Sequence, residues 1–323
     1  MTGPDHLDAD RLSAPGGQPV LVVDAVRWRR SDVPMQAVVI GVDREGTLPA
    51  VAADDFDLLV TSAQDAPRPW VYDTRPDRLA DAVLAAPLAS TIASAVLRMT
   101  AALPLADALT IESFAYSTLL GGKDFACWRA GSSRIASPAP AGPLAIERDG
   151  DRLTLTLNDP ARRNAMSAPM RDALYEALAN ALDDPTLPTV LLRGAGKCFS
   201  TGGLLAEFGM AQDLAEAHAV RMLHSCARAL AALGERGEVY LHGACVGSGI
   251  EVAAAAHRRV ASADSWFQLP EVSMGLIPGA GGTATVARAI GRHRTLWMLL
   301  SGKRVAAKRA LDWGLIHKIG TGS

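Results

Sequence analysis

Cysteine is scarce. The four present, Cys127, Cys198, Cys226 and Cys245, form no CxxC pair and none has a histidine at zinc-ligand spacing, so neither a disulfide framework nor a zinc site is encoded. The thiols are expected to be reduced and mostly buried. An excess of either charge is also missing: 32 Lys plus Arg stand against 34 Asp plus Glu, a net charge of -2. Nothing in that balance serves to neutralise a nucleic acid or an anionic membrane surface, although a local basic pocket remains open. No apolar run reaches the roughly 18 residues that a membrane helix needs. The start, MTGPDHLDADRLSAPGGQP, has neither the basic nor the apolar region of a secretory signal. A cytoplasmic protein is expected, with no membrane insertion and no nucleic-acid partner. What is present is 49% hydrophobic and 20% charged residues over 323 positions, ample for a core and sufficient for one large domain or two ordinary ones.

Residues 1–19 read as a flexible N-terminus. Three short apolar runs, VLVVDA from Val20, AVVIGVD from Ala37 and FDLLVTS from Phe56, have the length and β-branching of strands. From Pro76 to Ala130 the pattern becomes helical, with Asp73 or Thr74 as the expected cap and Pro104 dividing two helices. SSRIASPAPAGP reads as a linker over 132–142, separating an N-terminal extension at 20–131 from a third zone at 143–323. That zone alternates strands (Leu153 to Leu157, TVLLRG, EVYLHG) with helices near Ser167 to Leu182 and Leu214 to Leu233. Strands separated by helices imply an α/β fold with a mostly parallel, layered sheet.

Two glycine-rich loops follow strands: GKCFSTGG after TVLLRG and GACVGSGIE after EVYLHG. Glycine lets each backbone turn sharply and present N–H groups without side-chain obstruction, so the loops can aim two donors at one oxygen; ordinary strand-to-helix turns are the other reading. Glu251 sits in the first turn of an otherwise apolar helix, and Glu271 lies in the apolar FQLPEVSMGLIPGAGG. Such settings raise a carboxyl pKa towards the range useful for proton transfer, which makes the two a candidate acid/base pair. A helix-capping acid and a surface-loop acid are the plainer alternatives. His218, His224 and His293 have no partner acid at motif spacing and read as surface or packing residues.

Taken together, PLAIERDGDRLTLTLNDPARRNAMS, GKCFSTGGLLAEF, GACVGSGIEVAAA, SWFQLPEVSMGLIPGAGGTATVARAIG and LSGKRVAAKRALDWGLIHKI resemble successive signatures of the enoyl-CoA hydratase/isomerase (crotonase) superfamily, from Pro143 to Ser323. The resemblance implies a crotonase-like ββα-spiral core that binds acyl-CoA thioesters, preceded here by a strand-plus-helix extension. It implies an oxyanion hole formed by the backbone N–H groups of Gly203 and Ser248, with Glu271 exchanging a proton at the α-carbon and Glu251 activating water. Arg162, Arg163, Ala165, Thr201, Gly202 and Leu204 match the CoA side. No cofactor is implied beyond the coenzyme A carried by the substrate, and no metal. A homo-oligomer, trimer or hexamer, is the family's habit. Isomerisation or thioester hydrolysis on the same oxyanion site, or a catalytically weak partner-binding subunit, are the other functions the resemblance leaves open.

Family members continue for several helices beyond the equivalent of GLIHKI, near which this chain stops. The stretch Ile111 to Trp128 resembles the family's closing pattern. The expectation is that residues 76–130 are a relocated terminal helical region packed on the core, the alternative being an independent partner-binding module.

Overall fold

The computed structural model describes residues 6–30, 32–33, 35–132 and 142–321. Helix α1 (His6–Arg11) leads into β1 (Val20–Asp24), β2 (Val38–Asp43), β3 (Leu58–Thr61) and β4 (Val71–Tyr72), which pair in that order as a parallel sheet. The central strands β2 and β3 are buried on both faces, as parallel strands generally are, while the edge strand β1 is partly exposed. Val38, Ile40, Val42, Leu58 and Val60 join the main core. Val39 and Leu59 turn the other way, onto Leu12, Trp28, Phe56 and Trp70. The N-terminus is therefore not free over residues 6–19: Leu12 is buried, and its carbonyl accepts the N–H groups of Gln36 and Ala37.

The helical zone is four helices rather than two: α2 (Pro76–Ala85), α3 (Pro87–Thr100), α4 (Leu105–Leu120) and α5 (Lys123–Gly131). Pro87 at a first-turn position starts α3, Pro104 precedes α4 as expected, and Gly121-Gly122 separates α4 from α5. Arg75, not Asp73 or Thr74, occupies the cap position of α2, while Asp73 accepts the Arg75 N–H just before it. The expected linker falls largely on 133–141, outside the described residues.

The rest follows the expected alternation. It comprises β5 (Leu144–Asp149), β6 (Arg152–Leu157), α6 (Ala168–Asp183), β7 (Thr189–Gly194), α7 (Leu214–Leu223), α8 (Cys226–Ala232), β8 (Gly237–Leu241), β9 (Ala244–Val246), α9 (Ser248–Ala253), β10 (Arg258–Ala261), β11 (Trp266–Gln268), α10 (Gly282–Ile290), α11 (Arg292–Ser301), β12 (Val305–Ala306), α12 (Ala307–Trp313) and β13 (Lys318–Ile319). The large sheet runs β13-β10-β8-β7-β6-β5, parallel except for the β5–β6 hairpin, and a small sheet β12-β11-β9 lies apart. The single helix expected over Leu214 to Leu233 is broken, because Ser225 is extended and caps α8 by accepting the Arg228 N–H. All four cysteines are unpaired, with only Cys127 exposed. Among the described residues, no single helix is long and apolar enough to cross a membrane.

The extension and the core share one continuous apolar interior, in which Ala89, Ala93, Val96 and Leu97 of α3 join residues of the large sheet and of α10 and α11. Polar staples fix the register. Arg292 donates to the carbonyls of Phe56 (2.7 Å) and Ala53 (2.8 Å), and the Trp297 indole N–H and the Lys303 ammonium both reach Asp73, at 2.8 and 2.9 Å. Full burial of one Val or Leu is worth about 1.5–3 kcal/mol, more than a partly exposed ion pair, so apolar contact dominates this attachment.

Candidate active site

The parallel sheet carries the two glycine-rich loops to a common edge. Ser200 accepts the Val246 N–H (3.0 Å) and donates its own N–H to the Ala244 carbonyl (3.2 Å), so residues 200–203 and 245–248 run side by side. The Gly203 and Ser248 N–H groups lie at the ends of these segments, and among the described residues neither donates to a protein acceptor. Both residues line a cavity of about 1060 Å³. Gly247, between them, has φ 50° and ψ −127°, a conformation that glycine alone adopts without strain. A Cβ there would lie 2.7 Å from Glu271 Oε1 and 3.8 Å from Glu251 Oε1, so its bare Cα is the floor between the two carboxylates.

Glu251 and Glu271 are 2% and 6% exposed. Glu251, on α9, accepts the N–H groups of Ala280 (2.7 Å) and Gly282 (3.1 Å) through Oε2. Burial pushes its pKa up to about 7, and those donors hold it from rising further. Glu271 opens the turn after β11, and its Oε2 has no hydrogen-bond partner. Burial, then the nearby Glu251 charge, drives it well above the carboxylate range. The pair is thus differentiated: Glu251 Oε2 is held by two amides and Glu271 Oε2 has no partner, which favours the neutral form of Glu271. The remaining cavity wall is largely apolar, with Leu205, Phe208, Met210 and Val220 beside Tyr116, Leu120 and Trp128 of the extension.

Residues 151–321 match the sequence model of the enoyl-CoA hydratase/isomerase family. The chain belongs to that family. It is similar to the fatty acid oxidation complex subunit alpha of a Shewanella species, at 34% identity over 177 residues, which is 53% of this chain and 25% of that protein. It is also similar to a probable enoyl-CoA hydratase of Bacillus subtilis, at 31% identity over 50% of this chain and 63% of the other. The chain therefore spans about a quarter of the length of the first of these relatives. Among solved structures, an enoyl-CoA hydratase/carnithine racemase from Magnetospirillum magneticum superposes with a TM-score of 0.51 at 27% identity, covering 56% of this chain and 68% of that one. An enoyl-CoA hydratase from Bacillus halodurans gives 0.50 at 25% identity, covering 56% and 74%. The core accordingly has the crotonase-type α/β fold.

Of the residues expected at the site, Gly203, Ser248, Glu251, Glu271, Thr201 and Gly202 all line the cavity. Arg162, Arg163, Ala165 and Leu204 are not among its lining residues. Arg162 is turned onto Asp159, Nε to Oδ2 at 2.6 Å, and braces the loop before α6. Ala165 is buried, and Leu204 spends its N–H on the Met166 carbonyl. Arg163 is exposed beside Thr201, whose N–H its carbonyl accepts at 3.1 Å. His218 and His224 bond Ser113 and Asp172, and His293 is buried with a pKa lowered to about 3 by burial, all in keeping with packing roles.

Four residues went unnoticed in the sequence: Glu112 and Tyr116 on α4, Trp128 on α5, and Arg221 on α7, whose guanidinium lies 4.9 Å above the Tyr116 ring. Burial holds the Tyr116 phenol well above its usual range. Glu112 had a legible signal, a lone acid in the apolar run LTIESFAYSTLL, which is the criterion that singled out Glu251.

Proposed function

We propose that the protein is an enoyl-CoA hydratase-like hydro-lyase acting on a 2-enoyl-CoA. The thioester oxygen sits between the Gly203 and Ser248 N–H groups, and the withdrawal of charge makes the β-carbon electrophilic. Glu251 accepts a proton from water as its oxygen bonds to the β-carbon. The C=C electron pair moves to the thioester oxygen as an enolate, and neutral Glu271 returns a proton to the α-carbon. One water is added across the double bond, and the two glutamates exchange protonation states, to be reset through solvent. The balance closes with water, substrate and carboxyls alone, so the step calls for no metal or redox group and no cofactor beyond the CoA of the substrate.

The observation that carries the reading is the unequal pair itself: two buried carboxyls beside one Gly247 Cα, Glu251 Oε2 with two amide donors and Glu271 Oε2 with no partner. A 1,3-proton shift needs only one of them. The extension completes the site in this scheme, since Tyr116, Leu120 and Trp128 wall the cavity. That wall is large and apolar, which suits an acyl group longer or bulkier than crotonyl.

Hydration of crotonyl-CoA and of longer or aromatic enoyl-CoAs by the wild type, Glu251→Gln and Glu271→Gln tests the reading. Each substitution should lower kcat by about 10²–10⁴. Turnover untouched by both, or release of free CoA thiol in place of hydration, would overturn it.

A further inference from the structure

The turn that steadies Glu251 is held from its other side by a third buried carboxylate. Glu112, 2% exposed on α4, accepts the Gly281 N–H at 2.6 Å through Oε1, and the Thr283 N–H (2.7 Å) and hydroxyl (2.6 Å) through Oε2. Four consecutive amides therefore alternate between two acids: Ala280 and Gly282 serve Glu251, while Gly281 and Thr283 serve Glu112. A buried carboxyl facing an apolar interior is costly unless its oxygens are satisfied, and here both are satisfied by this one turn. The two acids are also close enough for Glu251 to push Glu112 upward, burial being the larger cause.

We propose that Glu112 is a positioning residue for the reaction, holding residues 280–283 so that the Ala280 and Gly282 amides fix the Glu251 carboxylate. This rests on the role given to Glu251 above. An acid delivered by the N-terminal extension would then set the geometry of an acid delivered by the core. Glu112 touches neither the cavity wall nor the reacting atoms; Tyr116, one turn further along α4, is the residue that reaches the wall.

Shortening the side chain while keeping its carboxyl group isolates this role. Glu112→Asp withdraws the carboxylate by one methylene, so the turn relaxes and Glu251 loses its amide donors. The groups facing Glu112 that titrate or carry charge are Glu251, Glu271 and Tyr116, together with Arg171, Arg221, His224 and Cys226 around a small adjoining cavity. None of these is altered by the substitution. The expected result is a fall in kcat of about tenfold or more with KM within about twofold. The acid limb of the pH–rate profile should move to higher pH, because a carboxylate deprived of donors holds its proton longer. A folded variant with wild-type kcat and acid limb would overturn the proposal. So would lower kcat with the limb in place, since mere loss of folded enzyme does that.

Should Glu112→Asp fail to fold, Thr283→Val removes one donor to Glu112 at equal volume and should shift the same limb to a smaller extent; an unmoved limb there counts equally against the idea. Hydrogen exchange separates this proposal from the choice of reaction. In either variant the Ala280 and Gly282 amides, which do not touch Glu112, should exchange faster, and unchanged exchange refutes the positioning role whatever the substrate proves to be.

Discussion

Replacing Gly247 by alanine puts a single methyl group between the two acids. The backbone there, at φ 50° and ψ −127°, is open to glycine and strained for any L residue, at a cost of about 1–3 kcal/mol. The new Cβ would lie 2.7 Å from Glu271 Oε1. An unstrained contact needs roughly 3.5 Å, so the carboxyl has to retreat by about 0.8 Å. Misplacement of a reacting group by about 1 Å costs on the order of 10² in rate. Gly247→Ala should therefore lose about a hundredfold in kcat, read from the disappearance of the enoyl-thioester absorbance, while unfolding a few degrees earlier. Gly302→Ala is the control: φ is 56° there, yet its Cβ would meet nothing within 4 Å. That variant should lose stability and keep its rate. If Gly247→Ala retained kcat within about threefold in a folded protein, the placement of Glu271 at the reacting carbon would be refuted.

The pH profile of kcat/KM should be bell-shaped. With Glu251 as the proposed base, activity is lost as pH falls below its value of about 7; with Glu271 as the proposed acid, activity is lost as pH rises through its own raised value. Glu251→Gln should abolish the acid limb, and a limb that survives would assign it elsewhere. At the proposed oxyanion position, Ser248→Pro removes the N–H at the first helical residue, where proline is otherwise tolerated, and should cost at least about 10²–10³ in kcat. Ser248→Ala should leave thermal stability unchanged or slightly higher, because the hydroxyl is buried without a partner.

Much of the architecture was written in local pattern. β1, β2, β3, β6, β7 and β8 follow their apolar runs to within a residue or two, and Ser167 caps α6 by accepting the Met170 N–H at 3.3 Å. The short strands β4, β12 and β13, of two residues each, carry too few side chains for any period to show. The break between α7 and α8 is only two residues long, His224 leaving the helical region and Ser225 extended, and apolar residues resume at once on its far side, so the pattern reads as one helix although Ser225 is a typical cap residue. At the site, the glycine loops and two of the acids stood out because each obeys a rule that a single segment can display. The other half did not, since it depends on long-range meeting: 169 positions separate Glu112 from Gly281. The contact between Arg162 and Asp159 spans only three residues, yet nothing in the sequence distinguishes an arginine open to solvent from one folded back onto a neighbouring acid.

The turn at residues 280–283 is where the two ends of the chain's history meet. During synthesis α4 is made 169 residues before the Gly281 amide that its Glu112 will bind, so the carboxyl stays in water while the sheet and α7 are being made. Chain elongation thus imposes a waiting period on Glu112, and the arrival of residues 281–283 ends it by joining turn and acid in the same event.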